Sequence, residues 1–163
     1  MTKKKIVKKS VVSTREKTTV GWREYISLPD WGVKKLLAKI DTGANTSALD
    51  VSSLEELPHN RVRFVIRKSR QYVHRTQIVT ARIVRRTTIK PSSGKQQERL
   101  VVQTDVKIGT VVKPIEISLV CRRNMICRML IGRAALARDF IVDPGRVHLH
   151  KPKTKKKKKL INR

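Results

Sequence analysis

The sequence predicts an all-β protein: a small closed β domain with one short helix and a disordered basic tail on either side. Three observations predict it. Runs rich in Val, Ile and Leu, each of strand length, recur through residues 20–150. Turn chemistry separates them, at Pro29-Asp30-Trp31-Gly32, at Pro91-Ser92-Ser93-Gly94 and at Gly109-Thr110. Only the stretch Arg133–Arg138 reads as helix. Six or more strands with one short helix favour closure or a sandwich, because closing a sheet removes its adhesive edges.

The elements follow in order. Val20–Leu28 reads as a strand, and Pro29-Asp30-Trp31-Gly32 turns it, since Pro presets φ and Gly accepts the unusual dihedrals at the end. Val33–Ile40 returns. Arg61–Arg67 has partial apolar alternation. Ile78–Ile89 and Leu100–Ile108 are long strands on either side of the Pro91–Lys95 loop. Val111–Val120 pairs back after Gly109-Thr110, and Pro114, which has no N–H, assigns it an edge or a bulge. After the helix, Phe140–Val142 and Val147–His150 are short closing strands.

The chain has 163 residues and a formal net charge of +27. Residues 1–19 hold seven basic residues and one acid, and residues 146–163 hold nine basic residues and no acid. Lys-rich runs bury nothing and repel themselves, so the domain organisation is a disordered tail at 1–19, a β domain at 20–150 and a disordered Lys-rich tail at 151–163. Such an excess implies polyanionic surroundings, with nucleic acid or ribosomes as partners reached through the tails. The few aromatics, Trp22, Tyr25, Trp31, Phe64, Tyr72 and Phe140, form no basic–aromatic repeat, which argues against a single-strand stacking platform. No apolar stretch approaches the roughly 20 residues of a membrane helix, and no apolar run follows the N-terminal lysines as in a signal peptide. Cys121 and Cys127 make no disulfide framework, so the expected setting is a reducing cytoplasm without membrane partners.

The most informative stretch is Leu36-Leu37-Ala38-Lys39-Ile40-Asp41-Thr42-Gly43-Ala44. An apolar strand delivers a carboxylate into a tight turn. Gly43 lets the backbone turn and leaves space beside Asp41, Thr42 can hydrogen-bond locally, and Ser47 is close enough to support the same loop. Three residues alone match by chance, and the plain alternative is an Asx turn. A second element strengthens the signal: Met129-Leu130-Ile131-Gly132-Arg133 is an apolar run, then Gly, then the helix.

Together these resemble retroviral-type aspartic proteases, which carry Asp-Thr-Gly-Ala early and two apolar residues with Gly-Arg before a helix. Gly21-Trp22-Arg23-Glu24-Tyr25, Ile40-Asp41-Thr42-Gly43-Ala44-Asn45-Thr46-Ser47, Ser92-Ser93-Gly94 and Phe140-Ile141-Val142-Asp143-Pro144 further resemble a bacterial, retropepsin-like family labelled as ATP-dependent zinc proteases. The resemblance covers residues 20–145. It implies a retropepsin-like β-barrel with Asp41 as catalytic carboxylate and Thr42, Gly43, Ala44 and Ser47 as supports of its loop. Leu130, Ile131 and Gly132 would form the inner loop beneath it. The hairpin Arg85–Arg99 would be the flap, with Ser92, Ser93 and Gly94 at its tip. In the retroviral enzymes an Arg at the position of Arg133 pairs with an acid, but here Asn45 and Thr46 are the nearest candidates and neither is charged.

The zinc and ATP of that label find no support in the residues. There is no H-E-x-x-H and no P-loop; His148 and His150 would share a strand face without a third ligand, and the cysteine spacing fits no zinc knuckle. No metal and no cofactor is expected, and both cysteines read as core or strand-end residues.

Aspartic protease chemistry needs two carboxylates sharing one proton. One Asp-Thr-Gly per chain therefore implies a two-fold homodimer with Asp41 from each subunit. Arg85, Arg86, Lys95 and Arg99 on the flap, with Arg82 and Lys90, would favour an acidic polypeptide, and some relatives accompany ligases that add glutamates to proteins. The leading expectation is an aspartic endopeptidase, acting on acidic or glutamate-rich segments. The alternatives are a non-catalytic retropepsin-like module binding RNA, ribosomes or acidic partners, and a nucleic-acid-binding β-barrel with a coincidental Asp-Thr-Gly.

Overall fold

The computed structural model describes residues 16–69, 71–89, 96–121 and 126–151. Most of both basic tails and residues 90–95 lie outside these residues. Among these residues nine strands form: β1 (Thr18–Leu28), β2 (Val33–Asp41), β3 (Ser47–Leu57), β4 (Arg61–Arg67), β5 (Thr76–Ile89), β6 (Gln97–Ile108), β7 (Val111–Val120), β8 (Met129–Gly132) and β9 (Phe140–Val147). A 3-10 turn, Pro29–Trp31, joins β1 to β2, and the helix α1 spans Arg133–Leu136. The class is all-β, as the sequence predicts.

The strands make one sheet in the order β4-β5-β6-β7-β3-β8-β2-β1-β9. It curls into a ring-like form because β6 also meets β1, at Ser27 opposite Lys107, and β4 also meets β3. Pairing is parallel for β1–β9, β2–β8 and β3–β7 and antiparallel elsewhere, including β3–β8 and β1–β6. Inward positions alternate, with Leu36, Ala38 and Ile40 on β2, Val62, Phe64 and Ile66 on β4 and Ile115, Ile117 and Leu119 on β7. They fill one core, in which Trp31 meets Phe64 edge-on at 5.2 Å. Fully burying each large side chain contributes about 1.5–3 kcal/mol.

Pro114 sits opposite Asp105 of β6, whereas β3 pairs with β7 only from Ile117 to Val120. Its missing N–H therefore falls where β7 is a local edge. Gly32 ends the first turn with φ of +65°, in the left-handed region that glycine tolerates.

Three expectations change. The helix ends at Leu136, not Arg138: Ala137 is extended and Arg138 has φ of +76°. Residues 147–150 are not a strand. The chain leaves the sheet after Val147, and the backbone N–H groups of Leu149 and His150 bond to the Glu24 carboxylate instead. The strand β3 is an addition. Its Ser-Ala-Leu-Asp-Val-Ser-Ser-Leu-Glu-Glu-Leu lacks alternation, and its N-terminal half is buried between β7 and β8.

No helix among the described residues is long and apolar enough to cross a membrane. Cys127 is buried and Cys121 is exposed just after β7. Burial pushes the Cys127 thiol up, away from thiolate chemistry.

Candidate active site

Asp41 is the last residue of β2, and the parallel register places it beside Gly132, the last residue of β8. Two segments far apart in sequence thus meet at one end of the sheet. The Asp41 carboxylate closes its own turn: Oδ1 accepts the N–H of Gly43 at 3.1 Å and of Ala44 at 3.2 Å. Its Oδ2 takes no hydrogen bond among the described residues. One oxygen is committed to the loop and the other is not.

The loop is held from below by backbone. The N–H of Arg133 donates to the carbonyl of Ala44 at 2.8 Å, and that of Ala134 donates to Asn45 at 3.1 Å. These are first-turn amides of α1 that have no partner inside the helix. The Gly132 N–H donates to Ser47 Oγ at 3.1 Å, and Ser118 Oγ donates to the Ser47 carbonyl at 3.1 Å. Ser47 thus ties Gly132 to β7. A Cβ on Gly132 would stand 2.6 Å from the Asn45 carbonyl oxygen, so only glycine allows the approach. Leu130 and Ile131 sit on β8 beside Lys39 and Ile40, with Ile131 buried.

Arg133 is the residue that motif reading leaves without a role. It pairs with no acid among the described residues; its Nη1 donates to the carbonyls of Thr42 at 2.9 Å and Gly43 at 2.7 Å. A guanidinium needs acceptors, and a tight turn has carbonyls to spare. Thr42 joins this clamp through its carbonyl, while its hydroxyl makes no hydrogen bond among the described residues. Asn45 replaces no acid, since only its carbonyl is used.

The flap-side cations are placed differently from a free basic lining. Hairpin β5–β6 pairs down to Ile89 opposite Gln97, while Ser92, Ser93, Gly94 and Lys95 lie outside the described residues, as does Lys90. Arg85 reaches Glu116 at 2.7 Å, within a hollow of about 170 Å³ that Asn45, Thr46 and Ser47 also line. The hairpin base therefore borders the Asp-Thr-Gly loop. Arg86 bonds Glu56 and lies 3.6 Å from Glu98, and its hydrogen bonds hold the Glu56 carboxyl below its usual range. Arg99 is 7% exposed and donates to Gln97 at 3.4 Å. Cross-strand glutamates and burial, which linear sequence does not display, account for the difference.

Two buried carboxylates also escape sequence reasoning. Asp50 on β3 meets Arg128 at 2.6 Å, both buried, just ahead of β8. Glu24 is 0% exposed and accepts three backbone N–H groups, from Gly21 at 2.8 Å, Leu149 at 3.0 Å and His150 at 3.1 Å. Such bonds offset the cost of burying a charge. Glu24 falls at an inward position of β1, and that misplaced charge is the signal that could have flagged it. His148 and His150 do not share a strand face: His148 stacks on Tyr25 at 4.8 Å, and His150 Nε2 bonds the Thr19 carbonyl. Among the described residues no group of three or more His, Cys, Asp and Glu could hold a metal.

Paired β2 and β8 ends, an Asp-Thr-Gly turn closed on its own carboxylate and a Gly-Arg helix start beneath it define a retropepsin-like domain. Residues 19–153 match the family model described as RimB-like, retropepsin-like aspartic endopeptidase RimB, and the chain belongs to that family. It is 31% identical over 135 residues to a protein of Desulfotalea psychrophila named probable alpha-L-glutamate ligase, covering 79% of this chain and 28% of that one. A protein of the same name from Parasynechococcus marenigrum is 29% identical, with 81% of this chain and 29% of that one covered. The chain thus spans under a third of the length of these relatives. A Legionella pneumophila structure, Lpg0085, a protein of unknown function (DUF785), superposes with a TM-score of 0.69 over 83% of this chain and 100% of its own, at 24% identity. That likeness shows the fold.

Proposed function

We propose that the chain is an aspartic endopeptidase that acts as a two-fold homodimer on acidic, glutamate-rich polypeptide. The observation that carries this reading is the clamped Asp41 turn: a carboxylate at a strand end, one oxygen bonded to Gly43 and Ala44, its loop braced by Arg133 and by the α1 amides. Across a two-fold axis a second Asp41 supplies the partner. Two adjacent carboxylates repel when both are ionised, so the pair shares one proton. The ionised member takes a proton from water, whose oxygen attacks the peptide carbonyl carbon, while the protonated member donates to the carbonyl oxygen. Collapse of the tetrahedral intermediate then breaks the C–N bond as the leaving nitrogen is protonated.

The substrate class is supported by two facts. The net charge of +27 draws polyanions toward the molecule. The matched segment also occurs in chains named for glutamate ligation, which makes glutamate polymers the natural chemistry to test. Lys-rich tails would repel one another, so the dimer contact falls to residues 20–150. The test combines sedimentation equilibrium with hydrolysis of glutamate-rich peptides from mildly acidic to neutral pH. A dimer that cleaves them supports the reading. A strict monomer without activity refutes it and favours a non-catalytic basic module.

A further inference from the structure

Some of the described cations answer carboxylates and others do not. Arg63, Arg85, Arg86, Lys113 and Arg128 are each paired with a carboxylate. Lys34, Lys35, Lys68 and Arg75 appear in none of the ion pairs among the described residues, and all four line a single groove of about 910 Å³. No carboxylate lines it. The groove lies on the outer face of β1 and β2, under the 68–75 connection between β4 and β5. That connection is held in shape by the Lys68 N–H on the Arg75 carbonyl at 2.8 Å and the Arg75 N–H on the Tyr72 carbonyl at 3.0 Å.

Two aromatic rings share the groove. Lys35 Nζ lies 4.3 Å from the Tyr25 ring centroid, and Arg75 Cζ lies 4.6 Å from that of Tyr72. Tyr72 is 44% exposed. The groove is separate from the Asp41 loop. Leu37, its lining residue nearest to Asp41 on β2, stands about 13 Å short of it at roughly 3.3 Å per residue.

We propose that this groove binds single-stranded nucleic acid. The four cations take successive phosphates, and an unpaired base lies against Tyr72 and the Arg75 guanidinium. Unpaired cations alone would serve any polyanion. Exposed aromatic surface beside them matches a strand that alternates phosphate with an apolar, flat base, whereas a glutamate chain has no group for the rings. Tyr25 is already covered, by His148 and Lys35, so Tyr72 supplies the open ring, and it lies far in sequence from Lys34 and Lys35, which hides the site from any search for a basic–aromatic repeat.

The test uses the full chain, with a short oligouridylate and poly-L-glutamate as probes, each titrated across salt concentrations. The tails attract both probes, so differences from wild type are what count. Lys34→Ala/Lys35→Ala/Lys68→Ala/Arg75→Ala should weaken oligouridylate binding at least tenfold. It should also flatten the log–log salt slope by about 3, since each phosphate no longer neutralised takes about 0.7 from the slope. Tyr72→Ala should weaken oligouridylate about tenfold and leave poly-L-glutamate unchanged. Replacing Lys34, Lys35 and Lys68 by Arg should preserve binding, which separates lost charge from lost folding. Asp41→Asn should bind oligouridylate as wild type does, so the proposal stands apart from the peptidase reading. Unchanged oligouridylate binding in the fourfold variant would assign it to the tails and overturn the proposal. Poly-L-glutamate falling equally in the fourfold variant, with Tyr72→Ala moving neither probe, would make the groove an acidic-peptide site and overturn it too.

Discussion

Asp41 and Asp50 flank the same short strand, β8, from β2 and β3, and they are handled in opposite ways. Asp50 is 1% exposed and answered by the Arg128 side chain at 2.6 Å. Asp41 is partly exposed and answered only by the amides of its own turn, while the nearby Arg133 spends its guanidinium on carbonyls. Arg128 spends its charge on Asp50 and ties β3 to the segment just ahead of β8. Arg133 spends its hydrogen bonds on the Thr42 and Gly43 carbonyls and fixes the loop, while one Asp41 oxygen takes no hydrogen bond among the described residues. The first aspartate is built into the structure, and the second is the one the proposed peptidase would use.

The sharpest way to break the comparison is to exchange charge for shape at each site. Asp41→Asn keeps the size and the acceptor for the turn amides but cannot take a proton from water. Peptide hydrolysis should fall by at least about 10²–10⁴-fold, with melting temperature and sedimentation nearly unchanged. Full activity in this variant would remove Asp41 from the chemistry.

At the other aspartate the effect should be on folding. Arg128→Ala strands a buried carboxylate, and denaturant titration should show a loss of about 3–5 kcal/mol. The double variant Asp50→Leu/Arg128→Met removes both charges and should recover most of that. A single variant as stable as wild type would show that Asp50 does not depend on Arg128.

Arg133→Ala separates loop geometry from stability. The side chain is exposed, so stability should move by only about 0.5 kcal/mol. The Thr42 and Gly43 carbonyls lose their clamp, and hydrolysis should drop about tenfold to a hundredfold through misplacement of Asp41. Equal losses of stability and activity would make Arg133 merely structural.

The smallest effect concerns pH. Burial, then the charges of Arg23 and Lys151, hold the His148 imidazole below its ordinary value of 6.5. The unfolded chain therefore takes up a proton that the folded chain resists. Stability from this group is intact above about 6.5 and is lost as pH falls below it. Thermal melts at neutral and mildly acidic pH should show a decline that His148→Phe lessens. An unchanged decline in the variant would place the titration elsewhere.

Much of this molecule can be read from its residues in order. Alternating apolar runs with Pro and Gly between them specify most of the strands, because a strand's inward face must be apolar wherever it is buried. The Asp-Thr-Gly turn and the Ile-Gly-Arg segment are visible as a pair because each interrupts an apolar run in a recognisable way, a carboxylate and glycine turn after Ile40 and a Gly-Arg helix start after Ile131, although the close approach to Asn45 that requires Gly132 is tertiary. The tertiary structure decided the rest. It made a strand of residues 47–57, whose one buried acid, Asp50, is answered by Arg128 and whose later polar residues, Glu55 and Glu56, lie exposed against Arg63 and Arg86. It turned Arg99 inward, matched Arg85 and Arg86 to glutamates on other strands, and brought Tyr25, Tyr72 and four unpaired cations into one groove. Whether a charge is free or answered depends on neighbours across the sheet, and those are set by register and by the curl of nine strands, not by order along the chain.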